Sequence, residues 1–267
     1  MTTSKVHLLV IDPQNDFCDI PNAALPVPGA NADMTRLAQF IDRVGHKLYD
    51  IHVTLDSHNP IDIAHPNWWI NGNGETPAPF TLISAADVRK GLWRTRNPML
   101  QARSLAYVES LEANQRYALV IWPEHCLIGH WGHNVHSAVM ASLDKWARSK
   151  QEIVDFVTKG SNPFTEHYSA VQAEVPDPMD AGTLLNTGLI TTLANAEVVV
   201  IAGEALSHCV ANTVRDIANN FGEDNIQKLV ILEDCTSPVT GFESMATDFM
   251  TEMTRRGMKV AKSSDFM

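Results

Sequence analysis

The sequence predicts an α/β fold built on an open parallel sheet with helical crossovers. Three observations predict it. Several short segments are continuously apolar and β-branched rather than alternating, the pattern of strands covered on both faces. Amphipathic helical patterns lie between most of them. At 267 residues, the chain is long enough to bury roughly three quarters of its extended surface, so it folds without disulfide staples.

The elements follow in order. VHLLVI (6–11) is the first strand. The helix over ADMTRLAQFIDRVGHKL brings Met34, Leu37, Phe40, Ile41 and Val44 to one face. DIHVTL (50–55) is the second strand. Residues 59–110 then break the alternation with several prolines, Trp68, Trp69, Trp93 and the stretch NGNGETPAPF. They read as a long ordered insertion within one domain spanning 1–267, its tryptophans either packing or forming a lid over a pocket. YALVIW (117–122) is the third strand, and HNVHSAVMASLDKWARSK is a helix with Val135, Val139, Leu143 and Trp146 on one face. EIVDFV (152–157) and AEVVVIAG (196–203) are the fourth and fifth strands, the latter followed by the helix CVANTVRDIANNF. QKLVILE (227–233), the helix FESMATDFMTEMTRRG with Gly257 as C-cap, and the short KVAKS (259–263) complete the chain.

The formal net charge is −11, which argues against nucleic-acid binding and against docking on anionic lipid, since both need clustered Lys and Arg. A small neutral substrate is compatible with it. No apolar run approaches the ~18 residues of a membrane span. The four cysteines, Cys18, Cys126, Cys209 and Cys235, form no CxxC. A cytoplasmic protein with reduced thiols is the expectation.

Ligands of open parallel sheets bind beyond the carboxyl ends of the strands, so the residues there carry the chemistry. Asp12 follows the first strand, Asp56 and His58 the second, Trp122, His125 and Cys126 the third, Lys159 the fourth and Cys209 the fifth. Cys209 opens a helix, whose free amides and positive dipole end favour a thiolate and receive an oxyanion. Lys159 adds positive charge, and Asp12 is placed to take the thiol proton. The plain alternative is an inert buried thiol. His208, next to Cys209 in sequence, is poorly placed to be the base and reads as pocket wall.

A second constellation is Asp56, His58 and His125. An Asp-x-His pair in extended chain turns both side chains to one side. A third ligand from a neighbouring strand end leaves coordination positions open, as catalytic metals require. His65 is a candidate fourth ligand. Alternatively these are hydrogen-bonded pocket or surface histidines. His130, His133 and His136 read mainly as loop and helix-start residues. IDPQNDF stands where a glycine-rich dinucleotide loop would stand, so a dinucleotide cofactor is not expected.

Taken together, IDPQNDF, DSH, WPEHC, Lys159–Gly160 and GEALSHC resemble, in family order from residue 6 to about 240, the motifs of the isochorismatase-like cysteine hydrolases, and most those of their nicotinamidase branch. The resemblance implies a six-stranded parallel sheet of Rossmann-like order in a three-layer α/β/α sandwich. It implies Asp12, Lys159 and Cys209 as a catalytic triad, and Asp56, His58 and His125 as ligands of one divalent ion (Zn, Fe or Mn). Phe17, Trp122, Ala205 and His208 are the expected pocket residues. The amides of Leu206 and Cys209 are the expected oxyanion donors, with a cis peptide at Ala205–Leu206. Three features depart from the family pattern: Leu206 stands for the usual Thr, Ser207 for a common Asp, and Glu204 for an apolar residue. The insertion is also longer than usual.

The expected activity is metal-dependent hydrolysis of a small amide through a Cys209 thioester, with nicotinamide giving nicotinate and ammonia. The alternatives are another small carboxamide or a carbamoyl or ureido compound, and a catalytically silent binding subunit. A homo-oligomer is compatible with the sequence.

Overall fold

A computed structural model describes residues 5–114 and 117–267. Its strands are β1 (Val6–Ile11), β2 (Leu48–Asp56), β3 (Trp69–Ile70), β4 (Leu82–Ile83), β5 (Arg94–Thr95), β6 (Leu119–Val120), β7 (Asp155–Lys159), β8 (Val198–Gly203), β9 (Leu229–Leu232) and β10 (Lys259–Ala261). Its helices are α1 (Ala30–Val44), α2 (Ala85–Arg89), α3 (Gln101–Ala113), α4 (Ser137–Lys150), α5 (Thr187–Ala194), α6 (Ala211–Phe221) and α7 (Glu243–Arg255).

Six strands form one sheet in the order β10-β9-β8-β1-β2-β7, and every pairing is parallel. The chain starts in the middle, runs outward through β2 to β7, returns to the far side of β1 with β8, and runs outward again. The strand order therefore reverses between β1 and β8, where open α/β sheets bind ligands. Continuous burial of VHLLVI explains its place at the centre. Leu8 and Val10 pack with Met34, Leu37 and Ile41 of α1 and Leu143 and Trp146 of α4 on one face. Leu9 and Ile11 pack with residues of α5, α6 and α7 on the other. Gly203 allows β8 to close on β1: a Cβ there would fall 1.9 Å from the Ile11 carbonyl oxygen.

YALVIW does not supply a strand of this sheet, contrary to expectation. Only Leu119–Val120 is a strand, and it pairs antiparallel with β4. The Ile121 and Trp122 amides are taken by the carbonyls of Thr81 and Ala64, so residues 59–110 occupy the ladder positions that a sheet neighbour would use. Those residues join the same buried cluster as α5–α7. Trp68 and Trp69 are core, with their indole N–H groups donating to Ser104 Oγ and the Ile63 carbonyl. For these two, packing is the correct reading and the lid is not. No helix among the described residues is long and apolar enough to cross a membrane.

Candidate active site

The loop after β1 is built around Gln14. Its side-chain amide donates to the Asp56 carbonyl and accepts from the Asp56 amide, both at 2.7 Å, which ties the ends of β1 and β2 together. Asp12 precedes it in the left-handed region, with φ of 43°, uncommon for a residue with a Cβ and typical of functional turns. Thr54 donates to Asp12 Oδ1 and accepts from the Asp12 amide. Lys159 ends β7, where Gly160 follows with φ of +83°; a Cβ on that glycine would press on Asp56 Oδ1 at 2.8 Å.

These ends meet. Lys159 Nζ lies 2.9 Å from Asp12 Oδ2, 3.0 Å from Asp56 Oδ1 and 3.5 Å from Cys209 Sγ, and donates to the His167 carbonyl at 3.0 Å. All four side chains are buried. Burial pulls the lysine pKa down, but the Asp12 and Asp56 carboxylates and Cys209 outweigh it and hold it well above its ordinary value. Burial pushes the Asp12 carboxyl up, against the pull of Lys159. It also pushes the Cys209 thiol well up, more than Lys159 lowers it. Both shifts favour a thiol beside a carboxylate of raised basicity, whereas the lysine and the helix end pull toward a thiolate. Cys209 lies in a π turn, Leu206–Val210, that feeds α6.

The cis peptide is Glu204–Ala205, one bond earlier than expected. The Leu206 amide is not free for an oxyanion, because it donates to the Ser237 carbonyl at 2.9 Å. Glu204, out of place by the family pattern, accepts from the Ser237 amide at 3.0 Å and so braces the same turn.

Asp56, His58, His65 and His125 form a second cluster. His58 Nε2 and His125 Nε2 lie 3.1 and 3.5 Å from Asp56 Oδ2. Their Nδ1 atoms are held by Asp62 Oδ2 at 3.0 Å and the Pro123 carbonyl at 2.8 Å, so both Nε2 atoms face inward. That is how outer partners orient metal-binding imidazoles. Nitrogens of His58, His65 and His125 lie within 4.8 Å of one another. His65 is fully buried, and neither ring nitrogen makes a well-formed hydrogen bond. Burial, together with His58 and His125, holds its pKa down to about 2. One carboxylate and three imidazoles, with an orphaned histidine among them, fit a divalent ion of the zinc, iron or manganese class. Without an ion, burial lowers the His58 pKa, but Asp56 and Asp62 raise it well above normal.

A small cavity of about 20 Å³ adjoins both clusters, lined by Phe17, Trp122, Ala205 and His208 among others. Phe17 meets His125 edge-on at 5.5 Å. His208 packs against Trp122 and Phe242 at 5.1 and 4.8 Å, and burial lowers its pKa to about 4.

Sequence reasoning missed Leu25, Glu166, Tyr168 and Val239 of the lining. Tyr168 accepts the Trp122 indole N–H at 3.0 Å. Glu166 is buried with Oε2 unpartnered, and burial raises its pKa. It also missed Asp16, whose carboxylate accepts the Cys126 amide at 2.7 Å and fixes the turn that carries His125. His133 is a brace rather than a pocket residue, its Nε2 2.8 Å from Ser57 Oγ.

No protein-family model and no curated protein sequence matches the chain. Solved structures do. An Acinetobacter baumanii nicotinamidase/pyrazinamidase is 19% identical over all of both chains, with a TM-score of 0.66. The yeast nicotinamidase bound to the inhibitor nicotinaldehyde is 19% identical, covering 96% of this chain and 99% of its own, with a TM-score of 0.66. The Pyrococcus horikoshii pyrazinamidase in complex with zinc is 18% identical over 97% and 99%, with a TM-score of 0.56. The chain shares their fold.

Proposed function

We propose that the protein is a cysteine amidohydrolase acting on a small aromatic carboxamide, with nicotinamide the first substrate to test. The carrying observation is Lys159, whose buried ammonium touches Asp12, Asp56 and Cys209 at once beside a cavity walled by Phe17, Trp122 and Tyr168. The nicotinamidase and pyrazinamidase structures of the same fold support the reading.

In this reading Asp12 takes the Cys209 thiol proton as the sulfur attacks the carboxamide carbon. The oxyanion is received by the amides of Cys209 and Ala205, both residues of the cavity wall. The C–N bond breaks, and Asp12 returns the proton to the departing ammonia. A Cys209 thioester remains. Asp12 then takes a proton from water as it attacks that thioester, and the acid leaves with the thiol restored. Lys159 keeps charge balanced throughout, compensating Asp12 when it is ionised and the sulfur when it is a thiolate. Phe17 and Trp122 hold an aromatic ring by its faces and edges. Asp56, His58 and His125, with His65 as a fourth, would hold a divalent metal. When bound, that metal supplies a Lewis acid for a ring nitrogen and for water.

The test is ammonia release from a panel of nicotinamide, pyrazinamide, benzamide and ureido compounds, with and without chelator. Turnover of the aromatic carboxamides supports the reading. Ureido turnover alone transfers the chemistry to that substrate class, and no turnover by a folded, metal-loaded protein contradicts it.

A further inference from the structure

A third polar cluster lies at the opposite, amino-terminal end of the strands, and the proposed chemistry does not use it. His7 of β1 and His52 of β2 are 3% and 1% exposed. Their rings stack at 5.2 Å and 12°, with His7 Nδ1 2.9 Å from His52 Nε2. Asp50 stands opposite His7 in the β1–β2 register, and Asp155 opposite His52 in the β2–β7 register. Asp155 Oδ2 lies 2.9 Å from His52 Nδ1, and Asp50 Oδ2 lies 3.8 Å from His52 Nε2.

The tautomers follow from these contacts. An ionised carboxylate only accepts, so His52 Nδ1 carries the hydrogen and donates it to Asp155. The His52 Nε2 lone pair is then fixed toward His7. The His7 Nδ1–H donates to that lone pair at 2.9 Å, and moving this hydrogen to Nε2 turns a second lone pair toward the same point. A ring nitrogen of His7, one of His52 and an Asp50 oxygen all lie within 4.8 Å of one another.

We infer that His7, His52 and Asp50 form a second metal site, for a borderline divalent ion such as Zn²⁺, with Asp155 orienting His52 from behind. Two imidazoles on a tetrahedral zinc at about 2.0–2.1 Å set their nitrogens about 3.4 Å apart. The present 2.9 Å needs only a small parting of the rings. Imidazole donors select zinc, nickel or copper over magnesium or calcium. The side chains of Asp50 and Asp155 are 31% and 52% exposed, which gives an ion a way in. Such an ion ties β1 to β2 and, through Asp155, to the edge strand β7. The site is about 13 Å along β2 from Asp56, by strand rise, and does not depend on the proposed activity.

The experiment is calorimetric Zn²⁺ titration of the full chain carrying His58→Ala and His125→Ala, which cripples the other cluster. It is repeated with His7→Phe or His52→Phe added, and separately with Asp155→Asn. Asp155→Asn changes an exposed side chain, so folding is not at issue there. One equivalent of Zn²⁺ is expected in the first variant and none after loss of either histidine. Asp155→Asn is expected to bind about 10–100-fold more weakly. Cu²⁺ bound to the first variant is expected to show two-nitrogen hyperfine coupling. Absence of saturable uptake in the first variant, or uptake unchanged by Asp155→Asn and by the histidine substitutions, overturns the site.

Discussion

Lys159 Nζ lies 2.9 Å from Asp12 Oδ2, with both side chains sealed from solvent. Removing the lysine leaves two buried carboxylates without their cation. Lys159→Met is therefore expected to destabilise the fold by about 3–5 kcal/mol. Chemical denaturation checks this; an unchanged midpoint would show that the pair contributes nothing.

Asp12 and Lys159 act on the Cys209 thiol with opposite sign: Asp12 raises its pKa and Lys159 lowers it. Asp12→Asn is expected to shift the pH profile of Cys209 alkylation downward while cutting turnover by about 10²–10⁴-fold. Lys159→Met is expected to shift the same profile upward. Profiles that move in the same direction would refute the opposed roles.

The acid limb of stability is set partly by His208. Its folded pKa is lowered from 6.5 to about 4, so between those values the unfolded chain binds a proton that the folded chain refuses. The contribution is whole above pH 6.5 and is lost as pH falls through about 4, of order 3 kcal/mol at full loss. His208→Phe is expected to flatten that part of the stability–pH curve. A curve of unchanged slope would contradict the neutral, buried assignment.

His65 is expected to be a metal ligand rather than filler. His65→Ala should lower bound Zn²⁺ or Fe²⁺, read by elemental analysis, and weaken affinity at least as much as Asp62→Asn, which only loosens His58. The sheet and not the ion supplies the core, so melting of the metal-free forms should change little. Metal content equal to wild type would remove His65 from the site.

Much of this was legible in sequence, and the reasons are physical. VHLLVI and AEVVVIAG are mostly apolar, His7 and Glu197 apart, because helices cover both of their faces, and that same pattern located the ends where Asp12 and Cys209 stand. Lys159 was legible because it also ends a strand, although β7 begins three residues later than EIVDFV suggests. Glu166 and Tyr168 were not legible. They lie in an irregular stretch after β7, where no periodicity marks which side chains turn inward. Leu206 was assigned to the oxyanion site from the family resemblance alone. Its amide is spent on Ser237, a partner that arrives from beyond β9. YALVIW has the composition of a sheet strand, but its ladder positions are filled by residues 81 and 64 of the insertion. His7 and His52 meet only through the β1–β2 register, which neither residue's neighbours reveal.

The central claim is that Cys209 carries the acyl group. The direct measurement is intact-protein mass spectrometry of enzyme quenched in acid during turnover of nicotinamide or pyrazinamide. The account predicts an adduct of the acyl mass on the Cys209 peptide, removed by hydroxylamine and absent in Cys209→Ala, which is expected to be folded and inactive. Ammonia release by Cys209→Ala at the wild-type rate, with no adduct on Cys209 in either protein, would contradict it.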